Sequence, residues 1–495
     1  AEKESGKQFK IIEIHKFLPH KLIKNLTLGF DPSLLTKKQL KTYFGSSIIL
    51  KPISCNLIDE IYSKKISQTK AFFSLKTKIT GESHKSKINK ISKILIKNKA
   101  DYLFVSAPEN VAWVLNIRGW DNPNSPIPNC RLIISKDKNI FLIAEKQKVL
   151  KIIKEKKIKK SQSIDPKKFH TLIKKLKGVS FYIDGFSCSV LNENIIKTKF
   201  KIINYNDPCY KLKSIKNRTE IKNMINSHIE DGVALTKFIF WIKNINKKKI
   251  TEIDAKNKLA KFRKLNKNYL FPSFDTIAGT GSNGAIVHYR VSKKSNKTIS
   301  KNDLFLCDSG GQYNYGTTDV TRTLCFSNQP KSIKDVFTKV LKGHIAVAIS
   351  DLKKFNNGKK IDKRARKFLK KDGLDYAHGT GHGVGFFLNV HEGPQSISKT
   401  NTVKLEEGMV VSNEPGYYKK NYFGIRIENL VYIKKTNKKL LFENLTLAPI
   451  EKDLINFSLL NKIEKDYLFK YHLNVYSTIS RFLKMKEKKW LASLI

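Results

Sequence analysis

Glycine occupies every second position from 379 to 385 in the segment AHGTGHGVGFFLNVHEGPQ (377–395). Each glycine in a helix interior costs about 1 kcal/mol relative to alanine, so four this close together exclude a helix. The segment also carries His378, His382 and His391. His378 and His382 have the i, i+4 spacing of a helical zinc motif, but that motif needs a helix to carry it, and the zinc reading fails. Any metal held by this segment must draw its other donors from elsewhere in the chain.

Two further segments supply acids. LFLCDSGGQYNYGTTDVTRT (304–323) places Asp308 and Asp319 on two strand-like arms around a glycine-rich turn, and SNEPGYYKKNYFGIRIEN (412–429) does the same with Glu414 and Glu428. The arms of a hairpin can bring their side chains into contact. Singly, an Asp beside Gly is most often a turn residue. Together, four converging carboxylates would repel by roughly 3 kcal/mol per pair at ~5 Å and an effective dielectric of ~20. Two divalent cations would cancel that charge. With one imidazole the set is oxygen-rich and suits Mn²⁺, with Co²⁺, Fe²⁺ or Zn²⁺ as alternatives, rather than a thiolate-loving metal. Two such ions about 3.5–4 Å apart can activate water and polarise a carbonyl. Arg426 precedes Glu428 by two residues, so on one strand the pair would share a face.

Other chemistries are set aside on similar grounds. GTGSNG (279–284) satisfies G-x-G-x-x-G, but a dinucleotide loop must open a helix, and the following AIVHYR (285–290) reads as a strand. The longest aromatic-rich apolar run, FIFWI (238–242), is far too short to cross a bilayer. Six scattered cysteines without a CxxC pair argue against a disulfide scaffold. The formal charge of +53 is spread over nearly every segment rather than gathered into a patch with interleaved aromatics. It reads as lysine on solvated faces, and no specific nucleic-acid partner and no membrane are expected. The densest run, KVLKIIKEKKIKKSQ (148–162), fits an exposed helix and a loop. The N-terminal segment lacks the apolar core of a signal peptide, so a cytoplasmic location is expected. It also lacks an initiator Met, as a chain beginning within a longer product would.

An internal repeat is readable. LTLGFDPSLLTKKQL (26–40) resembles GVSFYIDGFSCSVLN (178–192), aligning Asp31 with Asp184, and IILKPISCNLIDEIYSKK (48–65) parallels KIINYNDPCYKLKSIKNR (201–218). Each copy predicts a strand, an Asp turn and a helical segment. The second copy has roughly a hundred residues before its Asp and the first only thirty, so the first domain is expected to be truncated. From 207 onward helical segments and strand-like stretches, FDTIAGTGSNGAIVHYR among them, predict an α+β catalytic domain.

The motifs GAIVHYR, DSGGQYNYGTTDVTRT, HGTGHGVGFFLNVHEGP, SNEPGYY and GIRIEN together resemble those of the aminopeptidase P (Xaa-Pro aminopeptidase) family, in its long cytosolic form, within the creatinase/methionine aminopeptidase superfamily. The resemblance runs from about residue 26 to the C-terminus. It implies a pita-bread catalytic domain (207–435) preceded by two creatinase-like N-terminal α/β domains (1–66 and 67–206) and followed by a C-terminal extension (436–495). It implies five metal ligands, Asp308, Asp319, His382, Glu414 and Glu428, with Asp319 and Glu428 bridging two divalent ions. His288, His378, His391, Tyr418 and Arg426 match positions lining the substrate cleft, with Glu414 as proton shuttle. The implied reaction is hydrolysis of the bond between an N-terminal residue and a following proline. The implied partners are peptides with proline second, and a second copy of the chain in a homodimer. Prolidase, restricted to Xaa-Pro dipeptides, is the nearest alternative. A non-catalytic pita-bread module binding nucleic acid or protein is the more distant one.

Overall fold

A computed structural model describes residues 6, 10–12, 17–22, 25–46, 48–62, 70–245 and 250–495. Parts of the expected first domain lie outside the described residues. The chain divides into two compact units: residues 1–74, 83–119 and 128–209 form one, and residues 75–82, 120–127 and 210–495 form the other.

The first unit contains the repeat. Strands β1 (Thr27–Phe30) and β2 (Ile49–Pro52) pair in parallel, with helix α1 (Lys37–Phe44) between them in sequence. A longer sheet takes β3 (Tyr102–Val105), β4 (Arg131–Ser135), β5 (Ile140–Ile143), β6 (Ser163–Ile164), β7 (Ser180–Ile183) and β8 (Lys201–Asn204) in the order β8-β7-β3-β4-β5-β6. Helices α2 (His84–Lys97), α3 (Lys146–Lys154) and α4 (Val190–Lys197) complete the elements used below. The β1–α1–β2 and β7–α4–β8 segments are equivalent: both strand pairs are parallel. Asp31 and Asp184 accept from the backbone N–H two residues on, at 2.8 and 2.9 Å. Thr36 and Ser189 cap the two helices and bridge to each other antiparallel. The duplication seen in the sequence is thus a pair of matched turns packed about their own caps.

The second unit is built on antiparallel sheets. Two long helices, α5 (Arg218–Asn244) and α6 (Glu252–Lys264), begin with capping boxes at Asn217 and Thr251. They cover one face of the sheet β9 (Ile277–Thr280), β10 (Phe305–Ser309) and β13 (Val320–Leu324), burying Leu235, Phe238, Leu259, Phe305 and Val320 in one cluster. Short strands β11 (Gly311–Tyr313) and β12 (Gly316–Thr317) form the tip between β10 and β13. Helices α7 (Lys331–Ala348) and α8 (Gly358–Lys370) lead to a five-stranded sheet in the order β15-β14-β16-β19-β20. Its strands are β14 (Gly381–Gly383), β15 (Glu392–Ile397), β16 (Val410–Asn413), β19 (Asn429–Thr436) and β20 (Lys439–Asn444). The hairpin β17 (Gly416–Lys419) and β18 (Phe423–Arg426) interrupts it between β16 and β19, and helix α9 (Lys462–Ile479) follows. The β19–β20 hairpin spans residue 436, the expected start of the C-terminal extension.

One sequence expectation is corrected here. AIVHYR is not a strand: beyond β9 the chain enters a 3-10 turn at Gly281–Asn283 and continues through turns and irregular backbone to Arg290. Branched and aromatic residues gave the segment strand propensity, but no partner strand receives it. No helix follows Gly284 either, so the dinucleotide reading still fails.

Candidate metal centre

Strand ends deliver the acids. Asp308 lies on β10, opposite Thr321 of β13, and Asp319 immediately precedes β13. Glu414 immediately follows β16 and Glu428 immediately precedes β19, with the β17–β18 hairpin between them. The narrow strand β14 brings in His382. Its glycines serve close approach: a Cβ on Gly381 would overlap the carbonyl oxygen of Ser412 on β16, and one on Gly383 would overlap Glu392 and Gln395 on β15.

These five residues converge. Donor atoms of Asp308, Asp319 and Glu428 lie within 4.8 Å of one another, as do those of His382, Glu414 and Glu428. His382 Nε2 stands 3.3 Å from Asp319 and 3.5 Å from Glu414. Burial pushes the carboxyls of Asp319 and Glu428 well above the ordinary range, and neighbouring carboxylates add to it. Asp308 is raised by burial as well, although Arg426 opposes the shift. Glu414 also feels burial, but His382, His378 and Arg426 outweigh it and hold its carboxyl low. Asp308 Oδ1 is buried with no hydrogen-bond partner. Such a cluster of desolvated carboxylates with an orphaned acceptor fits divalent cations and fits an apolar core poorly.

The neighbouring side chains are ordered by a second set of bonds. Arg426 donates to Asp308 Oδ2 at 2.6 Å, to Tyr418 Oη at 2.5 Å and to Thr321 Oγ1 at 3.0 Å. Thr321 in turn donates to Glu428 at 2.7 Å. Ser412 donates to Glu414 at 2.9 Å and accepts from the His382 N–H. The expectation that Arg426 and Glu428 share a strand face is corrected: Arg426 ends β18, Glu428 precedes β19, and Thr321 joins them instead. His378 Nε2 is 2.9 Å from Tyr418 Oη, and its backbone carbonyl accepts from Arg366, which also holds Asp362 and Asp375.

A cavity of about 520 Å³ opens over the acids. His288, His378, His391 and Arg426 line it with the five donors, and Phe274, Ile277 and Val287 supply apolar wall. His288 reaches it from the exposed loop after β9. The His391 ring packs edge-on against His382 at 4.1 Å between centroids, and one of its nitrogens comes within 4.8 Å of donors of Asp319 and His382. Desolvation, then the neighbouring imidazole of His382, pushes His391 down to about 4. Tyr418 sits behind His378 and is pushed up to about 12, chiefly by burial.

All ten residues expected at the site are therefore gathered around one cavity or in direct contact with residues lining it. Thr321 and Ser412 were not anticipated, although a signal was present. Each lies two residues from a ligand candidate, Asp319 or Glu414, and alternation in an extended chain puts such pairs on one face. No local pattern marks Asp231 of α5. It accepts from Arg263 of α6 at 2.7 Å, from Tyr313 at 2.7 Å and from Thr318 at 3.0 Å, and so fixes the β10–β13 tip from behind.

An α+β unit of antiparallel sheets that collects acids and a histidine from strand ends is the architecture of a metallopeptidase. Comparison with known proteins gives the same class. The pattern described as "Metallopeptidase family M24" matches residues 222–435, "Creatinase/Prolidase N-terminal domain" matches 63–220, and "C-terminal region of peptidase_M24" matches 438–494. A probable Xaa-Pro aminopeptidase P of Laccaria bicolor is 35% identical over 99% of this chain and 82% of its own length. The crystal structure of X-prolyl aminopeptidase from Caenorhabditis elegans, described as a cytosolic enzyme with a di-nuclear active site, has a TM-score of 0.88 at 31% identity, covering 99% of this chain and 83% of that one. Prolidase from Pyrococcus furiosus has a TM-score of 0.57 at 27% identity and covers 72% of this chain and 98% of its own. The chain belongs to metallopeptidase family M24, among its Xaa-Pro aminopeptidases, with a creatinase-type N-terminal part and a pita-bread catalytic part.

Proposed function

We propose that this chain removes the N-terminal residue from peptides whose second residue is proline, using two divalent metal ions. The convergence of Asp308, Asp319, His382, Glu414 and Glu428 on one cavity carries the reading. These five would hold the ions. Glu428 lies within reach of the donors of Asp308 and Asp319 and of those of His382 and Glu414, and with Asp319 it would serve both ions. The oxygen-rich donor set favours Mn²⁺. When bound, the ions supply Lewis acidity and bring the pKa of a coordinated water near neutrality.

The chain's own residues do the rest. Glu414, oriented by the hydroxyl of Ser412, accepts a proton from the attacking water and delivers it to the leaving amine. His391 is pushed down to about 4, chiefly by desolvation, and stays neutral at physiological pH, so its imidazole can hydrogen-bond substrate without adding charge. His378, whose two ring nitrogens meet the Gly379 carbonyl and Tyr418 Oη, lines the cleft beside it. His288 contributes from the loop. The Tyr418–Arg426 pair orients His378 and Asp308. The apolar wall of Phe274, Ile277 and Val287 suits a proline ring, whose amide has no N–H to read.

In the same reading, residues 1–66 and 67–206 are two creatinase-like domains, 207–435 the catalytic domain and 436–495 an extension. The assembly is a homodimer, testable by light scattering, and the location is cytoplasmic. The location is supported by the description of the C. elegans enzyme as cytosolic. Among the described residues no helix is long and apolar enough to cross a membrane.

Metal analysis of the purified protein, paired with assays on Xaa-Pro, Xaa-Pro-Yaa and Met-Ala-Yaa peptides, tests the proposal. Two metal equivalents and turnover of Xaa-Pro-Yaa are expected. Activity confined to Xaa-Pro dipeptides moves the assignment to prolidase. A salt-sensitive gel shift without metal uptake moves it to a binding module. Glu414→Gln should keep the fold and lose about 10²–10⁴-fold in turnover.

A further inference from the structure

The lysine-rich run at 148–162 has a structural role that the peptidase reading does not use. In the first unit a cavity of about 590 Å³ is formed by three separate segments: the start of α2, the β4–β5 turn and the chain leaving α3. Six lysines line it: Lys85, Lys138, Lys156, Lys157, Lys159 and Lys160. Basic residues make up 95 of the 495 in the chain, about one in five, whereas lysines are six of the twelve lining this cavity. General lysine richness does not account for half the wall, nor for convergence from three segments.

The lining contains no carboxylate. Among the described residues none of the six forms an ion pair. Glu155 acts on Lys157 at longer range, but its carboxylate is engaged by the backbone N–H and hydroxyl of Ser74. Lys157 is itself half-buried, and burial pushes its ammonium down. His84, at the first position of α2, is pushed down to about 4 by burial and then by Lys157 and Lys85. The positive end of the 14-residue helix α2 lies at the same rim. The floor is apolar, with four isoleucines.

A cavity of this size is on the scale of a small-molecule site rather than a groove for a duplex. It offers no Phe, Tyr or Trp ring on which a base could stack, which disfavours single-stranded nucleic acid. Clustered ammonium groups are point charges suited to phosphate. We propose that this cavity binds a compact anion carrying several phosphate groups, as a site separate from the peptidase reaction. The same chemistry is offered by a free polyphosphate and by a phosphoinositide headgroup.

Calorimetric titration of the full chain with inorganic tripolyphosphate tests the proposal. Saturable one-site binding that weakens as salt is raised is expected. The triple variant Lys156→Gln, Lys157→Gln, Lys160→Gln should bind at least about tenfold more weakly. A control with the same charge change on exposed positions of α9, Lys462→Gln, Lys465→Gln, Lys470→Gln, should bind like the parent, and both should retain Xaa-Pro-Yaa turnover. Absence of saturable binding, or equal weakening in the two triples, overturns the site. Footprinting on the unaltered chain needs no variant. Tripolyphosphate should protect Lys156, Lys157, Lys159 and Lys160 from acetylation more than Lys462 and Lys465, and uniform protection overturns the site. Phosphoinositide vesicles distinguish the two sources. Capture that tripolyphosphate displaces supports the headgroup, and tripolyphosphate binding without capture supports the soluble anion.

Discussion

The hydroxyl of Thr321 donates to Glu428 Oε2 at 2.7 Å and accepts from Arg426 Nε at 3.0 Å. Arg426 also holds Asp308. One threonine on β13 thus couples an acid of the first hairpin to an acid of the second. Thr321→Val removes both bonds with little change in volume. It should weaken metal affinity by about 10–100-fold while leaving the fold intact, which titration of metal-free protein with Mn²⁺ would measure.

His391 separates two roles that the geometry brings close together. Its ring nitrogen lies near Asp319 and His382, yet the proposed part is to hydrogen-bond substrate. His391→Ala should lower kcat/KM about 10²-fold with metal content unchanged. A parallel fall in bound metal would make His391 a sixth ligand instead.

The Arg263–Asp231 pair is buried on both sides. Arg263→Met strands the Asp231 carboxylate, still bonded to Tyr313 and Thr318, in the interior. Breaking one partner of such a pair costs about 3–5 kcal/mol, to be read from the denaturant midpoint of the catalytic unit. Replacing both, Arg263→Met with Asp231→Leu, should recover part of the loss.

Acid stability has a local signature in the first unit. Asp101 accepts from Lys136 and from the N–H groups of Val179 and Ser180, which lower its carboxyl to about 2. The unfolded chain, with an ordinary Asp near 3.9, binds more protons in the window between those values. The contribution is therefore fully present above the unfolded pKa and is lost as pH falls through the window toward 2. Asp101→Asn should destabilise the protein at neutral pH and flatten the fall in melting temperature between about pH 4 and pH 2.

Much of the site was legible because the chemistry is concentrated in short segments. Asp308 and Asp319 flank a glycine turn, Glu414 and Glu428 flank another, and glycines bracket His382; each pattern is local and each survives in space. The repeat was legible for the same reason, since Asp31 with Thr36 and Asp184 with Ser189 form turn-and-cap units complete within a few residues. AIVHYR failed because strand propensity predicts an extended chain but not whether a neighbour is available to pair with it. The Arg426–Glu428 geometry failed because two residues of spacing count only while the chain stays in one strand, and Ile427 is where β18 gives way to β19. Asp231 and Arg263 come from separate helices whose pairing depends on how those helices pack, which no window of sequence contains.

The contact between β14 and its neighbours has a consequence for how this chain can change. Lysine dominates the exterior, yet none occurs between Lys371 and Lys399. With Gly381 pressed on Ser412 and Gly383 on Glu392 and Gln395, even a methyl group on either would shoulder His382 out of line. At these two positions a long cationic side chain has no room, and the histidine between the two glycines is sheltered by its neighbours' smallness.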